Sequence, residues 1–219
     1  MSYEKTEHTR KLEERVRKFD EFISNHKIDG GMHLGFHRIF NEGDVPGFDW
    51  NRGGRLYSVG ESSYQLLDKQ TRLRMTIDDE AVAELDIRAS YLTILYGLCG
   101  RSGELPADPY AIPDLPREVV KKWLVATLGR NQHIKRWPTD LIADYEEETG
   151  ENLRKYPVRI VRERVLEQLP LLRQWGELEV GWGTLMYIES EAIIRTMEEL
   201  MDEGIVSLPV HDSLNCPGP

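Results

Sequence analysis

Ile205-Val-Ser-Leu-Pro-Val-His-Asp-Ser-Leu-Asn-Cys216 is the stretch that decides the fold. Apolar residues run into His211-Asp212 and out again, the pattern of two short strands joined by a tight hairpin. The tip carries one carboxylate, Asp212, beside an imidazole. Upstream, Ala81-Val-Ala-Glu-Leu-Asp-Ile87 is another β-prone run, with Asp86 near its end. If the two runs are neighbours, two acids meet at strand ends, an arrangement able to hold divalent metal against a triphosphate. The periodicity permits that adjacency without requiring it.

Working outward, Arg72-Leu-Arg-Met-Thr-Ile77 alternates strictly, with Leu73, Met75 and Ile77 on one face. It reads as a strand, Asp78-Asp79-Glu80 as a turn, and Ala81 to Ile87 as its antiparallel partner. Arg55-Leu-Tyr-Ser58 is a further short strand. Helical spacing of Leu12, Val16, Phe19 and Ile23 predicts a helix from about Tyr3 to Lys27, stopped by Asp29-Gly30-Gly31. Met32 to Gly54 reads as irregular. Its two histidines, His33 and His37, are four apart and could share a helix face as metal ligands, but they lack a third ligand of matching context and read as structural or surface residues. Ser90 is expected to cap a helix through Leu92, Leu95 and Leu98. Asp114 and Pro116 are expected to start the next, with Arg117 and Lys121 on one face and Trp123, Leu124 and Leu128 buried. After a polar loop, helices follow over about Val158 to Gln174, bent or broken at Pro170, and about Leu185 to Asp202. The second has a core stripe of Ile193, Ile194, Met197, Leu200 and Met201. The predicted class is α+β: helices packed on one face of a small antiparallel sheet.

The chain has 219 residues, 40% hydrophobic and 30% charged, enough for one or two intimately packed domains. No run approaches the roughly 20 apolar residues of a membrane span. The N-terminal residues lack a signal-peptide layout, and Cys99 and Cys216 have no metal-ligand spacing. Reduced thiols and a cytoplasmic location are expected. A net charge of −10 argues against nonspecific coating of nucleic acid but allows a basic cleft on an acidic body. Positive charge is locally dense at Arg117, Lys121, Lys122, Arg130, Lys135 and Arg136, and again from Arg154 to Arg164. A solvated helix face is the plain reading of the second group.

Four segments, in order, resemble the palm and fingers of family A DNA polymerases and the related single-subunit phage RNA polymerases. Gly54-Arg55-Leu-Tyr-Ser with Tyr64-Gln65-Leu-Leu is similar to "T-G-R-L-S-S … N-L-Q-N-I-P". Glu84-Leu-Asp86-Ile87-Arg-Ala-Ser-Tyr91-Leu92 stands where "D-Y-S-Q-I-E-L" belongs. Asp108-Pro-Tyr110, Arg117-x-x-x-Lys121 and Leu128-Gly129 resemble the fingers helix, and Val210-His211-Asp212-Ser213 resembles "V-H-D-E". The resemblance covers roughly residues 54 to 216. It implies an N-terminal helical and irregular segment over 1–53. A palm would follow over 54–219, with a fingers insertion at about 101–176 and neither exonuclease nor full thumb. The sequence departs from the pattern at Ser213, where an acid is usual, in motif A, which lacks the usual Gln and Glu, and at Leu128, where an aromatic is usual.

The resemblance implies a template-directed nucleotidyltransferase that extends a primer with deoxynucleotides. Asp86, Asp212 and the Ile87 carbonyl would hold two Mg2+ ions, or Mn2+, one activating the primer hydroxyl and the other holding the triphosphate. Arg117 and Lys121 would neutralise the incoming triphosphate. Tyr91 would bar a 2′-hydroxyl, Arg55 would contact primer or template, and His211 would bond the primer terminus or orient Asp212. Glu189 is a candidate for the carboxylate that Ser213 lacks. Partners would be a template-primer, nucleoside triphosphates and a replication accessory protein, in a phage, prophage or plasmid setting. Each residue also has a plainer reading: Asp212 an Asx turn, Asp86 a strand end, Tyr91 a packing aromatic, Arg117 and Lys121 a solvated face. Two other functions stay open, a polymerase-like binding module without catalysis and a metal-dependent nuclease. DNA and RNA templates are not distinguished.

Overall fold

In the computed structural model, which describes residues 3–218, the chain is α+β. Its contacts divide it into two units, Met1–Arg88 with Met186–Pro219, and Ala89–Leu185.

The first unit opens with α1 (Glu7–Ile23), shorter than periodicity predicts because Thr6 and Thr9 close a reciprocal cap at its start. Phe19 and Ile23 bury its apolar stripe. Strand β1 (Ile28–Asp29) follows, then β2 (Phe36–Phe40), which pairs with β3 (Gly53–Ser58) as a separate two-stranded sheet. The expectation of irregular structure through residue 54 therefore fails at β2. The alternation Phe36-His-Arg-Ile-Phe40 is disguised by Arg38, whose inward-facing side chain is buried and ion-paired with Glu191.

Residues 72–77 do not form the predicted strand. Asp68 accepts from the Thr71 backbone N–H at 3.1 Å and from its hydroxyl at 2.6 Å, capping α2 (Lys69–Arg72). Only Thr76–Ile77 remain extended, as β4. Asp78 and Asp79 both have positive φ, 52° and 68°, as a type I′ hairpin requires, and the chain returns as β5 (Glu80–Asp86). The unit ends with most of α7 (Trp182–Asp202) and the terminal hairpin, β6 (Leu208–Val210) and β7 (Ser213–Pro217). The five-stranded sheet is antiparallel throughout, in the order β1-β4-β5-β7-β6. Its core joins Met75, Ile77, Val82, Leu208 and Leu214 to Phe19 of α1 and to Ile193, Ile194 and Met197 of α7. Leu200 and Met201 are only partly buried at its margin.

The second unit is helical. Helix α3 (Ser90–Leu98) begins with Ser90 as its first residue; the cap position belongs to Ala89, at φ 50°, and no side chain caps it. Pro116 likewise takes the cap position of α4 (Arg117–Leu128), whereas Asp114 lies two residues earlier at φ 65°. The predicted polar loop contains α5 (Thr139–Thr149), an acidic helix whose buried residues are Ile142 and Tyr145, too few to mark a stripe. Helix α6 (Val158–Gln168) stops at Leu169, and Pro170 opens a 3-10 turn. Trp123, Leu124, Val161, Val165 and Leu172 are among the residues that fill this unit's core. Both cysteines are free thiols. Among the described residues no helix is long and apolar enough to cross a membrane.

Candidate functional site

The adjacency on which the two-acid reading depends is present. Strand β5 pairs with β7 so that Asp86 lies opposite Ser213 and Leu85 opposite Leu214. The Ile87 N–H extends the ladder by donating to the Asp212 carbonyl at 3.1 Å. Asp86, Ile87 and Asp212 thus meet at one end of the sheet. By strand alternation Val82, Glu84 and Asp86 share a face with Ser213 and Asn215.

Val210 and Ser213 pair directly, which leaves His211-Asp212 as a two-residue hairpin loop. His211 has φ 57°, the positive value that the first loop position of a type II′ turn needs and that glycine normally supplies. Among the described residues, the Asp212 side chain takes part in no hydrogen bond, so the Asx-turn alternative is not realised. Ser213 is turned inward: its buried hydroxyl donates to the Val210 carbonyl at 2.9 Å. Two side chains hold the preceding strand. The Tyr64 hydroxyl and Gln65 Nε2 both donate to the Pro209 carbonyl, at 2.8 and 2.7 Å.

The His211 imidazole is held below its usual pKa, first by partial burial, then by Arg55, with Arg72 adding to this and Asp212 opposing it. Its ring meets Tyr57 edge-on at 6.5 Å, and Tyr57 stacks with His37. The cations of this rim have carboxylate partners of their own. Arg55 on β3 pairs with Glu189 of α7, whose side chain is 1% exposed. Arg72 and Lys69 pair with Glu84 at 3.0 and 2.9 Å. Burial raises the Glu84 carboxyl, but these two cations outweigh it and hold the group low. Lys69 is also within electrostatic reach of Asp86. Glu189 is therefore the counter-ion of Arg55, a role the sequence reading had not assigned to it.

His33 and His37 flank the start of β2 and are not on a helix. His33 is buried against Phe36 and Tyr64 and approaches the Ser58 hydroxyl at 3.1 Å. Among the described residues no group of three or more His, Cys, Asp or Glu is arranged to hold a metal ion. Two aspartates and a carbonyl are nevertheless hard oxygen donors of the kind Mg2+ prefers, and Mg2+ keeps several waters of its own.

Tyr91, Arg117 and Lys121 belong to the second unit. Tyr91 is half-buried on that unit's core. Arg117 and Lys121 are exposed on one face of α4. Arg117 pairs with Asp108 at 3.4 Å and lies over the Tyr110 ring at 4.7 Å.

Sequence reasoning missed Lys69 and Arg72 as neighbours of the acids, because it placed Arg72 on a strand. The signal was Asp68-Lys-Gln-Thr71, a helix cap. It also missed Tyr64 and Gln65 as anchors of the hairpin, since contacts so distant in sequence leave no periodic trace. Compared with known proteins, the chain matches no family model, no curated protein and no solved structure.

Proposed function

We propose that the protein is a nucleotidyltransferase that extends a primer on a template by metal-assisted phosphoryl transfer. The observation that carries this reading is the meeting of Asp86 and Asp212 at adjoining strand ends, tied by the Ile87–Asp212 backbone bond. Such a pair supplies negative charge where a divalent ion would bind. Of two such ions, one would lower the pKa of an attacking hydroxyl and the other would hold the triphosphate and stabilise the leaving pyrophosphate. From the resemblance alone, Arg117 and Lys121 of α4 would bind triphosphate, and Tyr91 would favour deoxynucleotides.

The test is primer extension on a labelled template-primer with each nucleotide type and Mg2+ or Mn2+. Extension that disappears in both Asp86→Ala and Asp212→Ala, with folding intact, is the expected outcome. A second reading is favoured by Ser213, whose buried hydroxyl is committed to Val210 where the resembled motif has an acid. In that reading the protein binds template-primer without turnover. Duplex binding by folded protein that shows no extension in either metal would select it. Release of nucleotides from polymer without added triphosphate would instead mark a nuclease.

A further inference from the structure

The second unit contains a cleft of about 820 Å³ between the segment after α4 and the starts of α5 and α6. Five cations line it: Arg130, Lys135, Arg136, Arg154 and Arg159. Among the described residues that line it, none is acidic. A smaller adjoining cleft shares Arg130, Lys135 and Arg136. Three cations of the first basic cluster and two of the second thus line one groove.

This concentration is unusual in a chain of net charge −10. Several nearby cations are matched: Lys122 with Glu148, Lys155 with Glu151, Arg164 with Glu167. Arg159 reaches Glu163 at 3.4 Å. Among the described residues, Arg130, Lys135, Arg136 and Arg154 have no carboxylate within ion-pairing distance. Like charges held together without counter-charge repel one another, which costs stability unless an anion joins them.

The cleft also receives Pro138 and Pro157, the residues that precede α5 and α6. Neither supplies a side-chain cap. Asp140 already offsets the dipole of α5, but the first turn of α6 carries no acid. Guanidinium groups fit phosphate oxygens in a fork geometry, and helix N–H groups add donors. A concave groove does not match a flat bilayer, and its volume exceeds what a single phosphate fills. We propose that this groove holds the phosphodiester backbone of a nucleic-acid strand. The inference goes beyond the phosphoryl-transfer reading and does not depend on it.

The experiment is fluorescence anisotropy of a labelled oligonucleotide, single-stranded and as duplex, in EDTA without triphosphate. Salt is varied from about 50 to about 200 mM. Each phosphate contact contributes about 0.7 to the salt slope on single strands and about 0.9 on duplex. Removing three cations in Arg130→Gln/Arg136→Gln/Arg154→Gln should make the slope shallower by about 2 on a single strand. Over that salt range the wild-type affinity should then fall about 20-fold more than the variant's, or about 40-fold more on duplex. The form whose slope changes by its own expected amount, about 2 on a single strand or about 3 on duplex, identifies the occupant. Arg164→Gln, an exposed cation outside the cleft, should leave the slope unchanged, within about 0.3, well short of the value for one lost phosphate contact. A triple variant with intact circular dichroism and a wild-type slope overturns the proposal. So does wild-type binding to anionic vesicles or an acidic peptide that exceeds binding to oligonucleotide. Because EDTA prevents turnover, an inactive enzyme would leave this result untouched.

Discussion

Lowering the pH should destabilise the first unit through His33. Its side chain is 6% exposed, and burial pushes its pKa down to about 4. Nε2 is buried without a hydrogen bond and lies 3.8 Å from Asp20 Oδ1. In the unfolded chain the imidazole titrates near 6.5. The folded state therefore binds fewer protons between these values. The stability contribution is fully present above about pH 6.5 and is lost as pH falls toward 4. The whole shift corresponds to about 3 kcal/mol, of which about 2 kcal/mol should be gone by about pH 5. Asp20 acts the other way. Its carboxyl is raised by burial, against the Phe36 N–H, so its protonation favours the folded form and flattens the acid end of the curve. The assay is chemical unfolding of wild type and His33→Gln from about pH 7.5 to about pH 5, with imidazole NMR titration in parallel. The two stability curves should converge by about 2 kcal/mol as pH falls. Parallel curves, or a His33 resonance titrating above about pH 6, would refute the reasoning. Stabilisation by Zn2+ at neutral pH that is lost in His33→Gln would instead revive the metal-ligand alternative.

Three further expectations concern the candidate site. Tyr64→Phe removes one of the two donors to the Pro209 carbonyl, and since Gln65 remains, the loss in urea unfolding should be about 1 kcal/mol. His211→Gly relieves the positive φ at the hairpin tip and should leave stability unchanged or raise it by up to about 1 kcal/mol. A loss in thermal melts larger than that would mean the imidazole holds the turn. Arg55→Met takes the guanidinium away from buried Glu189 and should cost about 3 kcal/mol, whereas Arg55→Met/Glu189→Met should recover most of it. A single variant as stable as wild type would return Arg55 to the role of an exposed nucleic-acid contact.

The sequence was most readable where local chemistry and burial agreed. The α+β class, the terminal hairpin, and the stripe of Ile193, Ile194 and Met197 all follow from period and turn residues. It was least readable where a charge occupies an inward position. Arg38 hides β2 because its partner, Glu191, is far away in the chain. Strict alternation over residues 72–77 misled for the opposite reason, since the Asp68 cap is a stronger local constraint than a period of two. At the candidate site the two acids were legible, but the ion pairs around them were not. Arg55–Glu189 and Arg72–Glu84 depend on strand order, which periodicity does not fix.

The position of β7 has a consequence for synthesis. It is an inner strand, bonded to β5 on one side and β6 on the other, yet it is translated after the whole second unit. The second unit is one continuous stretch, Ala89–Leu185, rich in local helical contacts, and can fold while the ribosome is still working. The first unit must meanwhile keep β5 as an open edge through that entire interval. Leu85, 63% exposed even in the finished sheet, lies on that edge. Nascent chains paused before Ser213 should therefore be the most prone to strand-to-strand association. The bond between Ile87 and Asp212 forms only when that interval closes, so the two acids come together only after the whole second unit has been made.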